Sequence, residues 1–395
     1  MDNIAKIITR KAVEIFDETV ELRRHFHKHP ELSHKEHKTS EFICNYLDKH
    51  KIDYERNLAG TGIIAWVNGN KGKGNVIALR AEMDALPIEE NTSLDYSSIN
   101  EGIMHACGHD AHMAMLMSVI IIIRDIYNGF GGRIAFIFQP GEEIAPGGAK
   151  LLMQTQVFRN LNPDLLIAQH VLPDLETGIT GFRAGKYMAS SDEIHIHITG
   201  RGGHAALQDQ YTDQVMIGSE LVMRLKETVN DYRKDEPLVV KIGRFTANGS
   251  TNIIPEEVTL KGTIRTFDEN VRKDLKNIVG EVCKYIQDKY GVKVDLNLPD
   301  GYPVLTNSEK HVKRSIGLVK EINGVKMVRE IDRRMSSEDF AYYSQGYPVV
   351  FYRLGIRSDT EGIHGLHTPK FTIDEKAMLT GVRTLSYLGV KFTGG

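Results

Sequence analysis

The runs Val76-Ile77-Ala78-Leu79-Arg80, Arg133-Ile134-Ala135-Phe136-Ile137-Phe138 and Asp164-Leu165-Leu166-Ile167-Ala168 constrain this chain more than any other feature. Each is short and apolar without the polar alternation of a half-exposed strand, the pattern of strands buried on both faces of a parallel sheet. Each leads into groups that a core does not normally accept: Asp84 after the first, the pair Glu142-Glu143 after the second, Gln169-His170 after the third. In open α/β sheets ligands bind in the crevice beyond the carboxyl ends of the strands. Carboxylates and imidazoles delivered there repeatedly point to a site rather than to ordinary surface.

The densest chemistry lies between the first two runs, in Gly102-Ile103-Met104-His105-Ala106-Cys107-Gly108-His109-Asp110-Ala111-His112, which runs into an apolar helix, Met113 to Ile126. Thiolate and imidazole together suit borderline-soft divalent metals. Cys107 and His109 can turn toward one cation at the mouth of that helix. His105 and His112 are rivals, because imidazoles at helical spacing share a face, and His364 competes with His367 in the loop Gly362 to Pro369. The neighbouring carboxylates Glu142 and Glu143 can point differently, one onto a metal and the other onto the water that attacks a carbonyl.

The remaining pattern supplies the frame. Residues 4–28 read as one amphipathic helix, Lys38 to His50 as a second with Cys44 in its apolar side, and Gly147 to Thr155 as a third. The charge- and His-rich stretch Arg23 to His37 reads as a solvated face, with a site role the lesser alternative. From about 187 to 298 the composition changes. A period-two strand (Glu193 to Thr199), a helix from Asp213 to Arg233, strands at Val239 to Phe245 and Val258 to Phe267, a helix from Asn270 to Lys289 carrying Cys283, and a strand at Val292 to Leu298 suggest a compact α+β insert. His195 and His197 share the polar face of the first of these strands and read as plain exposed residues. After Pro303 the α/β pattern resumes, with a helix from Ser308 to Ile322, a strand from Pro348 to Leu354 and a closing helix from about Asp374 to Leu388.

Composition excludes several classes. A chain of 395 residues has length for two or three domains, and a net charge of -3 gives no reason to expect nucleic acid or an anionic membrane as partner. The longest mainly apolar run, Met113 to Ile123, is too short to span a bilayer, and Met1 to Phe16 has no signal-like apolar core. Three cysteines make no disulfide framework, so a reducing, cytoplasmic setting is expected.

Taken in order, Met104-His105-Ala106-Cys107-Gly108-His109-Asp110, Gln139-Pro140-Gly141-Glu142-Glu143, Gly202-Gly203-His204-Ala205 and Leu366-His367-Thr368-Pro369, with Arg80 to Pro87 and Ser337-Glu338-Asp339-Phe340, resemble the M20 metallopeptidases. The closest likeness is to the amidohydrolase branch of N-acyl-amino-acid deacetylases, hippurate hydrolases and auxin-conjugate hydrolases, and it covers essentially the whole chain. The resemblance implies an α/β, zinc-peptidase-like catalytic domain, 1–186 with 299–395, whose mixed sheet is flanked by helices. It also implies an inserted α+β lid and dimerisation domain, 187–298. It implies metal ligation by Cys107, His109, Glu143, His170 and His367, with one or two divalent ions (Zn, Mn, Co or Ni) per subunit, and Glu142 as general base. It implies that His204 acts in catalysis, often across a homodimer, and that Asn252 and Arg265 hold the substrate carboxylate or carbonyl. Asp84 and Asp110 are expected to orient the ligands from behind. The expected substrate is a small N-acyl amino acid. A short peptide, cleaved by a dipeptidase or aminopeptidase of the same fold, is the alternative, and a non-catalytic metal-binding protein is a more distant one. Two departures stand out. Glu82 occupies a position where that branch usually has Asp, and Leu207-Gln208-Asp209-Gln210-Tyr211 follows His204 where relatives more often have a Pro-His pair.

Overall fold

The structure, a computed structural model, describes residues 3–232, 235–322 and 324–394. Arg233, where one helix was expected to end, and the outer domain limits Met1 and Gly395 lie outside the described residues. The chain divides into two compact units: Met1–Gly185 with Thr306–Asp332 and Asp339–Gly395, and Lys186–Leu305 with Arg333–Glu338.

The first unit is built on an eight-stranded mixed sheet. In chain order its first strands are β1 (Asp53–Leu58), β2 (Gly62–Asn68), β3 (Val76–Glu82), β4 (Arg133–Gln139), β5 (Leu165–Glu176) and β6 (Ile179–Phe182). In space they run β1-β2-β4-β3-β5, then Val349–Arg357, β6 and Met327–Glu330. The three apolar runs are thus neighbours, and β4, β3 and β5 are parallel, with Arg80 level with both Ile137 and Ala168. They are buried along nearly their whole length, so none needs a polar face. β1 is absent from the apolar pattern because it is a charged edge strand, Asp53-Tyr54-Glu55-Arg56-Asn57-Leu58, whose side chains mostly face water.

Helices α1 (Asn3–Glu14), α2 (Phe16–Lys28), α3 (His37–Lys49) and α4 (His109–Asp125) cover this sheet together with Ala377–Phe392. Every α4 residue from His109 to Ile123 is buried, as a helix apolar on all sides requires. It packs on β3 and lies under α2 and the closing helix. Three expectations need correction. The helix expected over 4–28 is two, kinked at Ile15, although Ile15 N still donates to Lys11 O and Thr19 N to Ile15 O. The Thr19 hydroxyl also donates to Ile15 O at 2.9 Å, a back-bond of the kind that bends helices. The third buried strand does not end at His170 but continues to Glu176, because Val349–Arg357 pairs alongside it. Finally, α4 begins at His109 rather than after it, so His109 belongs to the helix's first turn.

The second unit has a four-stranded antiparallel sheet in the order Leu238–Thr246, Glu257–Thr266, Asp192–Thr199, Lys293–Asn297. Ile194, Ile196 and Ile198 face a core shared with helices Gln214–Asp231 and Glu269–Tyr290, while His195 and His197 stay half-exposed on the other face. Cys283 is in this core and Cys44 in that of the first unit. The second unit is pinned by one buried acid. Asp192 accepts from Arg272 Nε at 2.6 Å, from Arg272 Nη2 at 2.7 Å and from Gly301 N at 3.1 Å, and lies 2.9 Å from Lys276 Nζ.

Burial works to raise the Asp192 pKa, but its hydrogen bonds to Arg272 and Lys276 prevail and hold it below the usual carboxylate value. A depressed folded-state pKa gives stability that is present above the unfolded value near 4 and is lost as pH falls through the folded one. Asp192→Asn is therefore expected to cost this unit about 3 kcal/mol at neutral pH, and the gap between variant and parent should close as the pH drops below about 4. Urea unfolding followed by far-UV circular dichroism at several pH values measures both. Equal midpoints for variant and parent at pH 7 would refute the assignment.

Candidate metal centre

The ends of β3 and β4, the middle of β5 and the start of α4 converge in the first unit. β3 leads to Asp84, β4 to Gly141-Glu142-Glu143, β5 carries His170, and the turn before α4 carries Cys107. Gly108, at φ +81°, makes the sharp entry into α4, and a Cβ there would lie 2.6 Å from Val171 Cγ2, so the position is closed to larger residues. His367 arrives from the C-terminal loop at φ +59°, a left-handed conformation that a non-glycine residue adopts at a cost. The bond from its N–H to Ala106 O, 2.9 Å, holds it there. Strain of this kind, imposed by surrounding structure, clusters at functional sites.

The donors meet closely. Cys107 Sγ lies 3.4 Å from His170 Nε2 and 3.3 Å from His367 Nε2. Glu143 Oε1 lies 3.2 Å from His367 Nε2 and 3.9 Å from His109 Nε2. The ligand atoms of Cys107, His109 and His170 all lie within 4.8 Å of one another, as do those of Cys107, Glu143 and His367. Cys107 is common to both groups.

The imidazoles are oriented from behind. His109 Nδ1 donates to Asp84 O at 2.8 Å, and His170 Nδ1 donates to Val171 O at 2.8 Å. Each ring thereby turns Nε2 toward the cluster, the usual support for a metal-bound histidine. His112 is different. Its Nδ1 is 2.9 Å from Glu82 Oε2 and its Nε2 accepts from Val171 N at 3.1 Å, so both nitrogens are spent on structure. His105 is buried, its ring nitrogens lack hydrogen-bond partners among the described residues, and burial pushes its pKa down to about 3. His364 is exposed.

The electrostatics fit a cation. Burial, and then the charges of Glu143 and Glu142, push the Cys107 thiol well above its ordinary pKa. Burial opposes charge on His109, yet Asp84, Glu82 and Glu143 together raise its pKa to about 10. Burial, helped by Arg353, holds His170 well below its usual value, as a neutral ligand requires. Two buried atoms facing the cluster, His109 Nε2 and Glu143 Oε1, have no hydrogen-bond partner among the described residues. Orphaned buried polar atoms are costly unless something else pairs them. A sulfur, imidazoles and carboxylates around such atoms are a donor set for a borderline divalent ion.

Behind the donors lies a buried network. Arg80 pairs with Glu82, donates to Asp339 Oδ1 at 2.8 Å and donates to Gln139 Oε1 at 3.0 Å. Burial opposes ionisation of Glu82, but Arg80 and His112 keep its pKa well below the normal range. Asp339 also accepts from Gln139 Nε2 and Ala149 N, and its own N–H lies 3.4 Å from Glu142 Oε1. Glu82, the departure noted in the sequence, is thus held between Arg80 and His112.

Asp84 accepts from Ser33 Oγ at 2.6 Å and Glu143 N at 2.9 Å. Asp110 instead faces the N-terminal helices, accepting from Arg23 Nε at 2.8 Å and lying 2.8 Å from His27 Nδ1. His27 reaches Glu90, while Arg23 reaches Tyr96 and Glu375. The expectation of a solvated face from Arg23 to His37 is wrong at its key positions, since Arg23, His27 and Glu36 are all 0% exposed. The signal available was spacing, as Thr19, Leu22, Arg23, Phe26 and His27 recur at helical intervals on the buried side of α2.

The remaining candidates lie in the second unit. His204 is exposed on a two-residue strand, Gly203–His204, paired with Ile253–Ile254, and Ala205 N donates to Asn252 O at 3.0 Å. His204 and Asn252 are therefore neighbours. The segment after His204 closes on it, with Leu207 N donating to His204 O and Tyr211 Oη donating to Ala205 O. Arg265 belongs to the larger sheet, where Nη1 donates to Met335 O at 3.1 Å.

Comparison with known proteins agrees with this architecture. Residues 78–389 match Peptidase family M20/M25/M40. The chain is 36% identical to an N-acetyl-L-cysteine deacetylase of Bacillus subtilis, over 91% of this chain and 84% of that one. It is also 36% identical to an N-acyl-L-amino acid amidohydrolase of Geobacillus stearothermophilus, over 82% and 85%. Among solved structures, the Bacillus subtilis YXEP protein, described as a dinuclear metal-binding peptidase, superposes with a TM-score of 0.81 at 29% identity, covering 96% of this chain and 99% of that one.

Proposed function

The chain belongs to Peptidase family M20/M25/M40, and from that premise we propose that it is a metal-dependent amidohydrolase that cleaves an N-acyl amino acid into a carboxylate and a free amino acid. The observation that carries this reading is the Glu142-Glu143 pair. Glu143 faces His367 and His109 in the donor cluster, while Glu142, nearly buried, is held against the Asp339 N–H. Two adjacent carboxylates with different surroundings are suited to different tasks.

Cys107, His109, Glu143, His170 and His367 are the residues that would hold one or two divalent ions, Zn, Mn, Co or Ni. Such a cation, when bound, supplies Lewis acidity to the scissile carbonyl and to the attacking water. Glu142 accepts the proton of the attacking water and returns it to the leaving nitrogen, so one carboxylate serves both transfers. Asp84 holds the Glu143 main chain, and its own carbonyl fixes His109. In the second unit, His204 is assigned to the developing oxyanion, a role worth about 3 kcal/mol, with Asn252 and Arg265 binding the substrate carboxylate. A cytoplasmic homodimer formed through the second unit completes the proposal. No helix among the described residues is long and apolar enough to cross a membrane.

The test is release of amino acid from N-acetyl-methionine, hippurate, N-acetyl-diaminopimelate and Gly-Leu with Mn or Zn added. Turnover of the acylated substrates supports the amidohydrolase. Activity confined to Gly-Leu moves the assignment to a dipeptidase. Dialysis against a strong chelator is expected to reduce the rate by at least about 100-fold, and re-addition of the ion to restore it. A rate unaffected by complete metal stripping, verified by elemental analysis, would overturn the reading.

A further inference from the structure

The segment Glu31–Glu36, between α2 and α3, is tied to both strand ends that carry the acids of the centre. Ala85 N donates to Glu31 O at 2.8 Å, and Ser33 Oγ donates to Asp84 Oδ2, so the segment grips the exit of β3. Glu36 grips the exit of β4. Its Oε1 accepts from Gly141 N and from His34 N, each at 2.8 Å, and its Oε2 accepts from Thr61 Oγ at 2.6 Å. The carboxylate is 0% exposed. Gly141 sits at φ +57°, and a Cβ on it would lie 2.3 Å from His34 Cε1, so the imidazole of His34 lies flat against this turn. Glu142 and Glu143 follow immediately.

We infer that Glu36 is a positioning residue for the centre, its buried carboxylate clamping the Gly141 turn and thereby aiming Glu142 and Glu143. The Gly141 N–H directly precedes the two acids, so where it is held sets where both side chains start. Without the clamp the turn would keep the bonds from Gly148 N to Gly141 O and from Glu143 N to Asp84 Oδ2, but Gly141 N, the donor just before the two acids, would lose its acceptor. The 2.6 Å bond from Thr61 keeps the carboxylate itself from rotating. The inference rests on the amidohydrolase reading for what Glu142 does, but not for where Glu36 holds it.

The experiment compares Glu36→Ala, Glu36→Asp and Glu36→Gln in the full chain. Two readouts are used: kcat and KM on the best acylated substrate, and the dissociation constant for Zn measured against a chromophoric chelator. Gln keeps an acceptor for both main-chain N–H groups and is expected to stay within about threefold of the parent. Asp, one methylene short, and Ala are expected to lose about 10–100-fold in kcat and in Zn affinity, the range seen when groups supporting metal ligands are removed, with KM within about threefold. If Glu36→Ala does not fold, Glu36→Asp decides alone. Parent-like kcat and Zn affinity in Asp or Ala would overturn the inference, as would a Gln variant as impaired as Ala. A lowered melting temperature with unchanged kcat and Zn affinity would make Glu36 merely structural, which also overturns it. Should the parent hydrolyse no acylated substrate, the function fails, and the Zn measurement still judges the clamp through Glu143.

Discussion

Glu142→Gln is expected to lower kcat by about 10²–10⁴-fold, the share usually supplied by a positioned proton-transfer group, while metal content and KM stay near parental values. The amide has the carboxylate's shape and retains an oxygen to accept from the Asp339 N–H, so the turn after β4 is expected to keep its conformation. What disappears is the basic oxygen that the proposed mechanism assigns to the water proton. Glu142 lies with His109 and Glu143 in one candidate donor group but not in the two that share Cys107, so metal content is measured beside the rate. Steady-state kinetics with elemental analysis on the same preparation separates the outcomes. A variant that keeps more than about a tenth of parental kcat would remove Glu142 from the role of base, and one that loses its metal would make it a ligand instead.

The largest effect on stability is expected at Arg23. Arg23→Met is predicted to destabilise the first unit by about 3–5 kcal/mol, the cost of breaking a buried ion pair from one side. The guanidinium is fully buried and bonded to Asp110, which is buried as deeply, and to Tyr96 and Glu375. Methionine matches the aliphatic stem but leaves Asp110 with His27 as its one hydrogen-bond partner among the described residues, and it removes a partner from Glu375. Burial opposes ionisation of Asp110, and Arg23 is the main influence holding its pKa far below the usual range. Trp66, the chain's single tryptophan, is on β2 in this unit and reports its unfolding by fluorescence. A urea midpoint shift equivalent to less than about 1 kcal/mol would show that the pair is replaceable. Asp110→Asn in the Arg23→Met background should then cost little more, because the charge it removes is already stranded.

Residues whose meaning depends on near neighbours were legible in the sequence. The three apolar strands, the order of polar groups at their ends and the apolar α4 emerge from periodicity, because burial on both faces leaves no room for polar residues. The α+β character of 187–298 was legible for the same reason, since alternating Ile194, Ile196 and Ile198 demand one covered face. What stayed hidden depends on pairings across long stretches of chain. Arg23 looks like surface until Asp110, 87 positions away, is found beside it. Glu36 lies 105 positions from the Gly141 turn. His112 and His109 are indistinguishable by spacing, and only the Val171 N–H and Glu82 show that one ring is fully engaged. β1 was missed because an edge strand needs no apolar pattern.

The sheet order has a consequence for how the protein is made. Asp84, Glu142 and His170 hang from strands encoded early, but β5 acquires its outer neighbour only when Val349–Arg357 emerges, and His367 follows later still. The five candidate donors are therefore together only after a segment encoded some two hundred positions beyond the first four has been made. A nascent chain halted short of His367 would carry the acids and the thiol on a sheet still lacking its last contributor.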